Sequence, residues 1–188
     1  ARTVPGDGEA LAYERLPFSR VMVVTGTVGA AHAPVAWRLG VDDPADYAAW
    51  RLAEMLRARG VAVAGKIVSR YRPLLREDDP EQRTKTPARP PVPEAIATLT
   101  PGPLLEEVIT INKVSQNLHS ELLLRRVGLA RGTGSIADGQ AVVAAMLEVA
   151  GVAKDHASLS DGSGMSSYNR VAPRGMVHLL GWIAKQPW

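Results

Sequence analysis

The sequence has 188 residues, of which 46% are hydrophobic, enough to build a substantial packed core in one or two pieces. Lys and Arg outnumber Asp and Glu by 22 to 19, and this mild charge of +3, with no basic stripe interleaved with aromatics, argues against a nucleic-acid partner. The absence of cysteine removes disulfide frameworks, zinc-thiolate centres and thiol nucleophiles together.

No apolar run approaches the roughly 18 residues that a membrane span needs, and the opening ARTVPGDGEALAYERL lacks the charged-then-apolar layout of a secretory leader. Val21 to Val28, VMVVTGTV, is rich in β-branched residues and runs into Gly29, which predicts a strand ending in a turn. The spacing Gly26-Thr27-Val28-Gly29 invites a nucleotide-binding reading. It lacks the third glycine, the immediate helix start and the distant acidic residue of a dinucleotide fingerprint, so a hairpin or strand-end turn is the simpler expectation.

Next, VDDPADYAAWRLAEMLRARG offers Asp43 as N-cap, Pro44 at the first helical position, and Ala48, Leu52, Met55 and Leu56 at helical spacing, with Gly60 as the stop. The following VAVAGKIVSRY predicts a buried strand. The proline-rich, charge-alternating RPLLREDDPEQRTKTPARPPVPEA then predicts a boundary or a long crossing loop. From Pro103 onward four helices are expected: PLLEEVITINKV, NLHSELLLRRVGLARG, ADGQAVVAAMLEVAG and PRGMVHLLGWIAKQ. Glu106 and Glu107 near a helix start, and Arg125 and Arg126 further along the next helix, are read as dipole-complementing or solvated charges. SLSDGSGMSSYNR, between the last two helices, is too polar and glycine-rich for regular structure.

Within Lys113 to Gly128, KVSQNLHSELLLRRVG, three small polar residues interrupt two helical patterns. In an unbroken helix, Ser115 and Asn117 would point roughly 200° apart. An extended or turn-like link instead turns both to one side and Gln116 to the other, so a hydroxyl and a carboxamide face a common space. The simpler reading is that Asn117 only caps a helix beginning at Leu118.

The stretch TPGPLLEEVITINKVSQNLHSELLLRRVG resembles the Ser-x-Asn region of the D-alanyl-D-alanine carboxypeptidases among the low-molecular-mass penicillin-binding proteins, where the motif links two helices. DGSGMSSYNRVAP, Asp161 to Pro173, resembles their Asp-Gly-Ser-Gly-Leu-Ser loop and stands in the same order. VDDPADYAAWRLAEMLRARGVAVAG is similar to the region where an inserted accessory domain returns to the core. The layout is closest to the class C, carboxypeptidase/endopeptidase type.

The resemblance implies a mixed α/β (α+β) fold, with a penicillin-binding, β-lactamase-like helical layer packed on an antiparallel sheet. Residues 1–93 would be the remnant of an inserted strand-containing domain and its return, and residues 94–188 the central part of the penicillin-binding domain. It further implies that Ser115 relays a proton to the leaving D-alanine amine and that Asn117 holds the substrate amide and steadies a lysine. Gln116 departs from the usual Asp or Asn but is expected to point away. Ser163, Gly164, Met165, Ser166 and Ser167 would line the substrate pocket, although Asp161 to Gly164 also make sense as a tight turn in which glycines take positive φ and the Asp bonds nearby backbone.

These enzymes combine S-x-x-K, S-x-N and K-T-G. No serine here has lysine three positions later, and the Lys85-Thr86 pair is followed by Pro87 and precedes Ser-x-Asn rather than following it. The chain is therefore expected to be an interior portion of a larger enzyme, inactive by itself and dependent on missing segments of the same polypeptide. Its parent would act on peptidoglycan stem peptides in the periplasm or another extracytoplasmic space through an acyl-enzyme, and would be trapped by β-lactams. His119 is read as a surface or packing residue, and the scattered His32, His156 and His178 predict no metal site. No cofactor is called for. The competing functions are a scaffold that keeps the fold without the nucleophile and a small nucleotide-binding α/β protein.

Overall fold

In the computed structural model, residues 1–88, 91 and 94–187 are described, and they divide into two compact units, Ala1–Arg72 and Pro73–Trp188. Helices and small sheets coexist, so the fold is mixed α/β.

The first unit carries a three-stranded sheet in the order β1-β3-β2, formed by β1 (Arg2–Val4), β2 (Glu9–Glu14) and β3 (Val23–Gly29). β1 runs parallel to β3 with Arg2 opposite Thr27, and β2 runs antiparallel with Leu11 opposite Gly26. β3 matches the strand expected from VMVVTGTV, although its glycines play a different part. Gly26 has φ of +103°, and a Cβ there would lie 1.8 Å from the Ala10 carbonyl oxygen; at Gly29 it would lie 2.3 Å from the Gly6 oxygen. Both are glycine because neighbouring backbone leaves no room for a side chain. The next helix starts only at Pro44, so the strand-turn-helix cradle of a nucleotide site is not formed here.

α1 (Pro44–Arg57) starts as the sequence predicts: the Asp43 carboxylate accepts from the Asp46 N–H at 2.9 Å, and Pro44 occupies the first turn. Tyr71 also donates its hydroxyl to Asp43, and these bonds, with that from Asp46 foremost, hold the Asp43 carboxyl below its ordinary value. Gly60, at φ +80°, lets the Val61 N–H reach back to the Leu56 carbonyl and close the last turn. The buried side of α1 is centred on Ala53, with Ala49 and Leu56 half-buried beside it, whereas Ala48, Leu52 and Met55 are exposed. The stripe expected at 48, 52, 55 and 56 is thus displaced by about one position.

Residues 61–71, expected as a buried strand, form no regular structure and are mostly exposed. The apolar run has the composition of a strand, but no other strand lies beside it among the described residues, and a strand unpaired on both edges leaves its backbone groups to water.

The second unit contains the four expected helices: α2 (Leu104–Val114), α3 (Asn117–Arg131), α4 (Ile136–Val149) and α5 (Pro173–Ile183). α3 and α4 approach at backbone distance. A Cβ on Gly128 would lie 2.6 Å from the Gly139 nitrogen, and one on Gly139 would lie 2.5 Å from the Leu124 carbonyl oxygen. Ser135 caps α4 by accepting from the Asp138 N–H at 3.0 Å, and its hydroxyl donates to the Asp78 carbonyl at 2.5 Å. Arg83 donates to Asp138 at 2.5 Å, so the segment around residues 76–83 is fastened to the start of α4. Burial pushes the Asp138 carboxyl up, but hydrogen bonds from Arg83 and Thr133 outweigh it and hold the group down at about 2.

Leu124, Ala150 and Val152 form the buried apolar centre of this unit, yet Leu104, Leu105, Ile109 and Val114 of α2 and Val177 and Leu180 of α5 stay exposed. The accessible surface is 15216 Å², whereas two separately folded units of these lengths would together expose about 10,500 Å². No helix among the described residues is long and apolar enough to cross a membrane.

Candidate active site

α2 ends where a β-branched run, Ile109-Thr110-Ile111, gives way to Asn112-Lys113-Val114 and the chain turns at Ser115. Ser115 takes the left-handed conformation, φ 58° and ψ 55°, and its N–H bonds the Ile111 carbonyl. This helix-terminating position normally falls to glycine because a Cβ there costs roughly 1–2 kcal/mol. Gln116 is extended, φ −84° and ψ 93°, and caps α3: its side-chain oxygen accepts from the Leu118 N–H at 3.3 Å. Asn117 is the first residue of α3.

The expected break between two helices is therefore present, but the cap is Gln116, not Asn117. That frees the Asn117 carboxamide from the backbone role the simpler reading assigned it. Ser115 and Asn117 are both exposed, and neither side chain has a hydrogen-bond partner among the described residues. Gln116 is half-buried and committed to the helix start. His119 Nδ1 lies 2.7 Å from Glu107 Oε2 without the angles of a hydrogen bond, so the ring on α3 stands against α2 beside the link.

The DGSG loop is ordered. At its base, β4 (Ala157–Ser158) and β5 (Arg170–Val171) form a two-residue antiparallel ladder. At its centre, the Asp161 carboxylate accepts from the Gly164 N–H at 2.7 Å, the Ser166 N–H at 2.5 Å and the Asn169 amide at 2.9 Å. The Asn169 bond, opposed by partial burial and joined by the backbone donors, holds this carboxyl below its ordinary value. Asn169 in turn accepts from the Ser160 N–H at 2.7 Å. Gly164 has φ +78°, as the tight-turn reading requires. Met165 and Ser167 are exposed, while Ser163 is half-buried. Gly164 lies at the exposed tip.

The loop is seated on α3, the helix that begins at the link. Asn117, Glu121 and Leu124 recur at i, i+4 and i+7 and share one face, with Glu121 about 6 Å along the axis from Asn117. The loop backbone at Gly162 rests on this face, where an added Cβ would lie 2.6 Å from the Ser120 carbonyl oxygen and 3.0 Å from Leu124 Cβ. The Glu121 carboxylate accepts from Gly162 N–H, Ser163 N–H and the Ser163 hydroxyl. Sequence reasoning passed over Glu121, because a glutamate in the second turn of a polar helix looks like any solvated charge. Its position four residues after Asn117 was the available signal.

Other concave surfaces are lined by different residues. One of about 550 Å³ in the first unit involves Arg15, Arg20, Asp42, Asp43, Asp46 and Trp50, and its two arginines are already paired: Arg15 with Asp42 at 2.8 Å, Arg20 with Asp46 at 2.5 Å. Among the described residues no group of three or more His, Asp or Glu has the geometry of a metal site.

The profile of the D-Ala-D-Ala carboxypeptidase 3 (S13) family matches residues 10–188. A D-alanyl-D-alanine carboxypeptidase of Actinomadura sp. (strain R39) is 30% identical over 184 residues, covering 97% of this chain and 32% of that protein. The D-alanyl-D-alanine carboxypeptidase DacB of Haemophilus influenzae is 26% identical over 164 residues, 86% of this chain and 31% of its own length. The chain thus spans about a third of the length of the curated relatives it matches. With the profile extending across nearly every residue, the chain belongs to the D-Ala-D-Ala carboxypeptidase 3 (S13) family.

Proposed function

We propose that this chain is the central part of a serine-type D-Ala-D-Ala carboxypeptidase/endopeptidase that acts on peptidoglycan stem peptides outside the cytoplasm, forms an acyl-enzyme and is trapped by β-lactams. The observation that carries the reading is Ser115 itself. A serine held in the left-handed conformation ends α2 at a cost that glycine would avoid, its hydroxyl is left free and exposed, and such strain clusters at functional sites.

In the proposed reaction, a serine nucleophile from an S-x-x-K segment, absent from this sequence, attacks the carbonyl between the two D-alanines. Ser115 passes a proton to the departing D-alanine amine. Asn117 donates its amide N–H to the substrate carbonyl and accepts from the lysine of S-x-x-K. Water then releases the shortened peptide. Ser163, Gly164, Met165 and Ser167 form the rim facing the substrate's side chain.

In this proposal residues 1–93 are the remnant of an inserted accessory domain and its return to the core, and residues 94–188 the middle of the penicillin-binding domain. The exposed apolar faces of α2 and α5 support a helical layer that packs on a sheet from the rest of the polypeptide. The test is acylation by labelled benzylpenicillin. The full-length protein should be labelled stably and the 188-residue chain should not; an unlabelled full-length protein carrying S-x-x-K and K-T-G would leave the non-catalytic scaffold.

A further inference from the structure

We propose that Glu121 is a positioning residue that sets the substrate-side-chain rim in register with the Ser115–Asn117 link; this rests on the function proposed above. A single carboxylate oxygen, Glu121 Oε1, accepts three hydrogen bonds from the loop: Gly162 N–H at 3.2 Å, Ser163 N–H at 3.0 Å and Ser163 Oγ at 2.7 Å. Two successive backbone donors and a hydroxyl converging on one anionic acceptor fix the direction of the loop as well as its distance. Gly162 completes the contact from the other side, since its lack of a Cβ is what allows the loop backbone to touch Ser120 and Leu124.

The loop is internally rigid, because Asp161 and Asn169 bond its own backbone and the β4–β5 ladder closes its base. Such a body moves as a unit, and its seat on α3 decides where Met165 and Ser167 stand. A further tether is to α4, where the Gln140 amide donates to the Leu159 carbonyl at 2.9 Å, before the DGSG turn begins. Glu121 is the tether on the helix that carries Asn117, one turn away on the same face. Because Ser163 gives its hydroxyl proton to Glu121, it can meet a substrate only as an acceptor.

The rim touches the substrate away from the reacting bond, so a misplaced loop weakens ground state and transition state alike. In the full-length protein hydrolysing an acyl-Lys-D-Ala-D-Ala tripeptide, Glu121→Ala is expected to raise KM roughly tenfold with kcat within about threefold. Glu121→Gln keeps a carbonyl oxygen for the three donors and should stay within about threefold of wild type in both constants. Amide exchange at Gly162 and Ser163 should quicken in Glu121→Ala and not in Glu121→Gln. An unchanged KM in Glu121→Ala, equal impairment of both variants, or a fall in kcat together with melting temperature overturns the positioning role. Unaltered exchange in Glu121→Ala removes the tether itself. A wild-type protein that neither hydrolyses the tripeptide nor is acylated by benzylpenicillin sinks the proposed function, and the positioning role with it, even where the exchange result stands.

Discussion

Replacing Arg83 by Met should expose how much of the second unit depends on one buried ion pair. The Arg83 and Asp138 side chains are only 10% and 3% exposed, and their N–O distance is 2.5 Å. Asp138 also accepts from Thr133 N–H and Oγ1, but those neutral donors cannot neutralise a buried carboxylate. The displacement of its carboxyl from 3.8 to about 2 corresponds to about 2 kcal/mol of stability at neutral pH. Removing Arg83 forfeits its share of that, Thr133 keeping the rest, and leaves the carboxylate buried without a counter-charge, so the total loss should approach about 3–5 kcal/mol. The sign of the pH dependence follows from a depressed carboxyl: the stabilisation is present in full above the unfolded value near 3.8 and is lost as pH falls towards 2. Urea unfolding followed by far-ultraviolet circular dichroism should therefore show a large gap between wild type and Arg83→Met at pH 7 that narrows as pH falls from about 4 towards 2. A gap under about 0.5 kcal/mol at pH 7, or one that stays constant into acid, would refute this reasoning.

Ser115→Gly should relieve the left-handed strain, raising thermal stability by up to about 1 kcal/mol, while slowing benzylpenicillin acylation of the full-length protein, so that stability and activity move in opposite directions. Asn117→Ala should slow acylation at least roughly tenfold with an unchanged melting curve, because Gln116 rather than Asn117 caps α3. Gly162→Ala should lower stability by about 1–3 kcal/mol in a thermal melt, since its Cβ would meet backbone at 2.6 Å and the loop must lift from α3.

Much of the helical half was legible because its signals are local. Pro44 and Asp43 start α1, Gly60 stops it, and apolar periodicity marks α2 to α5. The interruption at Ser115 to Asn117 was legible for the same reason, since short polar residues between two helical patterns end one helix and begin another. What escaped depends on partners distant in sequence. The run at 61–71 has the composition of a strand, but a strand is defined by its neighbour. The buried face of α1, centred on Ala53, is offset from its most apolar stripe, because the covered face is set by what folds over it and periodicity alone does not report that. Gln116 rather than Asn117 caps α3, a choice between adjacent amides that composition does not make. Glu121 and Asp138 look like solvated charges until donors 41 and 55 residues away are brought to them.

The central claim is that a strained serine and a free carboxamide at the α2–α3 joint serve a nucleophile from elsewhere in the same polypeptide. Its most direct test is the rate of benzylpenicillin acylation in full-length wild type and Ser115→Ala, with matched melting curves. The account predicts a fall of at least roughly a hundredfold in the variant with folding intact; equal acylation rates in the two proteins would contradict it.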